Sequence, residues 1–175
     1  MKELLESGKF SEIMDIDVDL IQITQEIRDR CADNYCGFYG KNHMCPPAVG
    51  GLKEYREIIR KYEKGLLFSK VYALKNKYDY KRMVESGVEF RNEIQKIRNE
   101  MKSKNLDCFF FSAGTCSLCQ KCAILTDEPC RFPDDAIPSL EATGIDVIRL
   151  SRDYRMTYNS GENNVTYFGL LIYNN

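Results

Sequence analysis

The chain has 175 residues, 25 basic against 26 acidic, and eight cysteines. A chain of this length buries about 70% of its unfolded surface and so builds a core without metal staples. Its balanced charge, with no Lys/Arg block, excludes the electrostatic footprint of a nucleic-acid binder or a membrane-surface protein. Charges run through Met1–Lys9 where a secretion signal needs an apolar core, and no run of about 18 apolar residues occurs, so the expected setting is cytoplasmic. In that reducing compartment eight cysteines point to metal ligation rather than to four disulfides.

Residues 2–14 and 17–30 read as helix or as mixed helix and strand, without a clear period; Ile16, Val18, Leu20, Ile21, Ile23 and Ile27 are core candidates. Residues 31–51 form a structured loop rich in Cys, Gly and Pro, because Gly admits positive φ and Pro fixes φ and removes a donor. From Leu52 to Lys64, Leu52, Tyr55, Ile58, Ile59 and Tyr62 recur at helical spacing. Leu66–Leu74 is rich in branched and aromatic residues and predicts a strand.

The cleanest period follows. Met83, Gly87, Phe90, Ile94, Ile97 and Met101 lay one apolar stripe along a helix of about 20 residues, too few heptads for a coiled coil and better suited to packing on a sheet. Leu106–Phe111 is a short apolar strand. Pro138–Gly144 reads as one or two helical turns closed by a glycine, Ile145–Arg152 as a second helix, 159–164 as a turn and Val165–Tyr173 as the closing strand. The expected fold is therefore mixed α/β, a single domain over 1–175, with a small sheet of three or more strands packed with helices and the cysteine loops grouped at one edge.

Two loops carry the chemistry. In one, Cys116, Cys119 and Cys122 fall at C-x-x-C spacing and Cys130 follows eight residues on, so a short segment wraps four thiolates round one centre. That is the form in which iron–sulfur clusters are held. Zinc also takes four thiolates, but its usual form is two separated C-x-x-C pairs. In the other loop, Cys31, Cys36 and Cys45 are less diagnostic, although Pro46 after the third cysteine is shared with ferredoxin-type loops. Three thiols leave a fourth position, to be filled by His43 or Cys108 or left open, and an open position is what distinguishes a catalytic metal site from a closed one.

The remaining candidates each have a plain alternative. His43, the only histidine, is either a ligand or a loop side chain hydrogen-bonded beside the site. Cys108 lies in an apolar strand, where a free cysteine packs as a small hydrophobe. Lys121 and Arg131 either offset cluster charge or are solvated, and Glu141 and Asp146 serve proton transfer or cap helices. No Gly-rich dinucleotide or phosphate loop is present, so flavin or nicotinamide chemistry is not suggested, and no catalytic residue is assigned.

At Cys36-x2-Tyr39-Gly40-Lys41-Asn42-x2-Cys45-Pro46-Pro47 and Gly114-x-Cys116-x-Leu118-Cys119-x2-Cys122-x7-Cys130-Arg131-x-Pro133, the chain resembles DUF2284, a family of small predicted metal-binding proteins. The likeness continues through Pro138-Ser139-x-Glu141-Ala142-x-Gly144-Ile145-Asp146-Val147 and spans about residues 30–173. It implies cysteine-ligated metal, of iron–sulfur type, at Cys31, Cys36, Cys45, Cys116, Cys119, Cys122 and Cys130, and no established reaction. The family pattern has an aromatic residue where His43 stands, and Cys108 lies outside it.

The function expected is that of a cytoplasmic iron–sulfur protein with two [4Fe–4S] clusters that exchanges electrons with a redox partner. One alternative is a redox enzyme acting on a small molecule at an open iron in the Cys31 loop. The other is a zinc-stapled interaction module.

Overall fold

In the computed structural model, which describes residues 1–174, four antiparallel strands form one sheet in the order β1-β2-β4-β3. The strands are β1 (Glu12–Ile16), β2 (Lys64–Ala73), β3 (Cys108–Ser112) and β4 (Asn164–Tyr173). The helices are α1 (Lys2–Glu6), α2 (Gln25–Asp29), α3 (Leu52–Ile59), α4 (Tyr80–Ser103) and α5 (Val147–Asp153). The mixed α/β expectation holds, with one strand more than the three that the sequence marks.

Alternation along the central strands sorts side chains onto two faces. Leu66 and Phe68 of β2, Phe110 of β3 and Leu171 of β4 meet Phe90, Ile94, Ile97 and Met101 of α4 and Leu5 of α1. Leu67, Phe111, Phe168, Leu170 and Ile172 face the other way, onto Tyr55 and Ile59 of α3 and Val147 and Leu150 of α5. Both faces being covered explains why β2, β3 and β4 read as continuous apolar runs rather than as alternating patterns. The stripe predicted on the long helix is the buried face of α4, from Gly87 to Met101.

Two expectations change, while the mixed helix-and-strand reading of 2–14 holds: α1 ends before Gly8, Lys9 takes φ 51°, and the chain turns into β1. As an edge strand β1 keeps Met14 and Asp15 in solvent, which removed the periodic signal. Leu20 is no core residue but 57% exposed, because in the 3-10 turn Val18–Leu20 the inward position belongs to Val18. The helix from Leu52 stops at Ile59 and leads directly into β2.

Asp146 takes the capping alternative, its carboxylate accepting from Arg149 N at 3.0 Å at the start of α5. Replacing Asp146 by alanine is expected to cost about 1 kcal/mol, readable as a shift of the urea midpoint with an unchanged slope.

Candidate metal centre

The four-cysteine loop starts where β3 ends. Ser112 pairs with Gly169 of β4, and Ala113 N donates to Phe168 O at 2.8 Å. The returning chain is clamped to the same strand end, with Ser112 N donating to Pro138 O and Leu140 N to Ser112 O, each at 3.1 Å. Gly114, at φ 76°, makes the first turn out of the sheet, a conformation that costs glycine little. Within the loop the Arg131 guanidinium donates to Lys121 O at 3.0 Å and reaches the Glu128 carboxylate at 3.4 Å. Arg131 therefore closes the stretch between Cys122 and Cys130, and Lys121 contributes its carbonyl. Cys116, Cys119, Cys122 and Cys130 all line one small pocket, with Asn42, His43 and Met44 of the other loop on its wall.

The three-cysteine loop is closed at its base by Arg28 of α2, which donates to Gly50 O at 2.5 Å and Val49 O at 2.9 Å. Cys31 sits in the 3-10 turn Arg30–Asp33, Cys36 is exposed and Cys45 is buried. Gly40 N donates to Pro46 O at 2.8 Å, which folds the stretch before Cys45 back on itself.

The two loops interlock. Asn42, only 7% exposed, donates through Nδ2 to Cys116 O at 3.0 Å and accepts from Met44 N at 2.9 Å. His43 N donates to Cys122 Sγ at 3.4 Å, and Cys45 Sγ lies 3.3 Å from Thr115 Oγ1. The seven sequence-predicted cysteines thus fall into two neighbouring sets that touch at Cys45, Thr115 and Cys116. Replacing Asn42 by alanine leaves a half-buried carbonyl and a half-buried amide without partners, so a loss of about 1 kcal/mol and faster proteolysis in both loops are expected. Limited digestion followed by mass mapping checks it, and cuts confined to one loop would contradict the interlock.

Burial governs the thiols. It pushes Cys45 up to about 11, opposed by the Thr115 hydroxyl and reinforced by the neighbouring Cys36, Cys31 and Cys116. Cys116 is raised by burial first and then by Cys130, Cys119 and Cys122, while the Leu118 amide opposes the rise. Cys31 is raised by burial, by the Glu141 carboxylate and by Cys36, with Arg28 opposing. Glu141 itself holds the Ser139 hydroxyl at 2.7 Å. Soft thiols as the shared donor type suit iron–sulfur clusters or zinc. All eight cysteines are free, and as they stand no three His, Cys, Asp or Glu side chains among the described residues converge tightly enough to hold a metal ion.

Both sequence candidates for a fourth ligand have other contacts. The His43 ring donates from Nε2 to Glu128 O at 2.9 Å and faces the four-thiol pocket. Cys108, at the far end of β3, packs with its Sγ 3.8 Å from Met101 Sδ, the core reading of that residue. Asn42, Thr115 and the half-buried Arg91 of α4 are site residues that the sequence reading missed. Their signals were the motif position of Asn42 and a glycine, Gly87, on the buried stripe of α4, where a side chain is normally wanted. A Cβ on Gly87 would lie 3.1 Å from the Tyr167 hydroxyl and 3.2 Å from the Arg91 guanidinium, so the glycine makes room for both.

Fold and site together define a small cysteine-rich α/β protein with seven of its eight cysteines in two interlocked loops. The profile of the family described as "Predicted metal-binding protein (DUF2284)" matches residues 14–173, and the chain belongs to that family. No curated protein and no solved structure matches it. No helix among the described residues is long and apolar enough to cross a membrane.

Proposed function

We propose that the protein is an electron-transfer protein carrying two [4Fe–4S] clusters, one on Cys116, Cys119, Cys122 and Cys130 and one on Cys31, Cys36 and Cys45. The observation that carries this reading is the pocket: Cys116, Cys119, Cys122 and Cys130 all line it, so one short loop presents four thiols to one place. Three of the four come from one Cys-x2-Cys-x2-Cys run, a form in which clusters are held, whereas zinc is usually held by two separated Cys-x2-Cys pairs. When bound, such clusters supply one-electron redox chemistry at a potential set by charge, hydrogen bonds to sulfur and exposure.

The chain's own groups are suited to that task. His43 N–H donates to the Cys122 sulfur and the Leu118 amide acts on Cys116, both drawing charge from the ligands. The junction at Cys45, Thr115 and Cys116 supports close approach of the two sets, as a relay needs. The enzyme alternative looks for a pocket of Tyr39, Lys41 and His43 beside the Cys31 set; instead His43 faces the other set, and Tyr39 and Lys41 lie at the surface.

Protein purified without air is expected to absorb at about 400 nm and to bleach on addition of dithionite. A colourless preparation replete with zinc overturns the proposal and favours a stapled interaction module.

A further inference from the structure

Arg91 is the cation that the site has drawn from outside its loops. It projects from the middle of α4 toward the first residues of the four-cysteine loop, its Nε donating to Ser117 Oγ at 3.3 Å. Gly114 and Gly87 both make way for it: a Cβ on Gly114 would lie 2.7 Å from its terminal nitrogen. With Cys116 and Ser117 it lines a second pocket, on the side of Cys116 turned toward α4.

Arg91 is half-buried, and taking a guanidinium partly out of water is costly unless a negative partner repays it. No carboxylate among the described residues pairs with Arg91, whereas Arg82, Arg98, Arg131 and Arg149 all have one. The ionisable groups that couple to its charge are the Tyr167 phenol and the Cys116 and Cys45 thiols, the two thiols one from each set. Thiolates holding a metal core carry net negative charge, so the partner that Arg91 lacks is the loaded site itself.

We propose that Arg91 is the shared counter-charge of the two thiol sets, a positioning residue that stabilises the reduced, more negative state of both centres from the point where they meet. Lys121 and Arg131, which stand beside the cysteines in sequence, are exposed, and solvent screens their charge. The proposal rests on the two-centre reading above, and its test is arranged to separate the two.

In iron-loaded protein, Arg91→Gln and Arg91→Met are expected to move both midpoint potentials to more negative values by about a tenfold change in the reduction equilibrium, about 59 mV for one electron. Arg91→Lys restores most of the shift, and Lys81→Gln, an exposed charge on the same helix, moves neither potential. Metal-free protein titrated with Co²⁺ gives a readout that needs no iron: Arg91→Met binds about tenfold more weakly than wild type, and Arg91→Lys does not. Wild type without iron or sulfide sinks the cluster reading while the Co²⁺ titration still tests Arg91. Potentials that stay put in Arg91→Met at full iron content overturn the counter-charge proposal, as does an unmoved Co²⁺ affinity.

Discussion

Cys31→Ser and Cys119→Ser, made separately, are each expected to lose about half of the iron and to keep the other half. These two positions are chosen because neither lies at the junction, whereas Cys45 and Cys116 sit on either side of Thr115 and their loss would disturb both loops at once. Cys31 is held by the turn after α2, and Cys119 belongs to the loop hung on β3 and on the chain returning through Pro138. Removing one thiol therefore leaves the backbone of the opposite set supported. Iron and sulfide are counted on each variant purified without air, alongside the dithionite-bleached absorbance. Loss of all metal from either variant would mean one shared centre.

Gly169→Ala is expected to cost about 3 kcal/mol, the upper part of the range for overpacking a core. Gly169 stands opposite Phe68 in the β2–β4 ladder, and a Cβ there would lie 2.3 Å from the Phe68 ring. The ring has no room to retreat, since Phe68 is fully buried, with its centroid 4.5 Å from that of Phe10 and 6.1 Å from that of Phe90. The strain would also reach the site, because Gly169 pairs on its other side with Ser112, the last strand residue before the four-cysteine loop. Urea unfolding measures the loss. If the clash is its cause, combining Gly169→Ala with Phe68→Leu gives a variant more stable than the two single changes predict by addition; strict additivity would place the cause elsewhere.

The parts of this fold that were legible are those where one simple period operates. The stripe from Gly87 to Met101 gave α4, and the dense apolar runs gave β2, β3 and β4, because each packs in one way against a large neighbour. β1 was obscure since an edge strand with Glu12 and Asp15 in it obeys solubility more than burial. Within the site, cysteine spacing marked the four-thiol set because its cysteines are close in sequence and share one loop. The three-thiol set, the interlock through Asn42 and the approach of Arg91 depend on contacts such as Asn42 to Cys116 that no local pattern encodes. His43 shows the limit best. Its place in the first loop left a ligand or a hydrogen-bonded side chain open, and the fold takes the second, with the ring on Glu128 O and the backbone N–H on Cys122 of the other loop.

The most direct measurement is iron and acid-labile sulfide per chain on protein purified and handled without air. The two-cluster account predicts about eight of each. Zinc without sulfide would contradict it and leave the thiol loops as a structural staple.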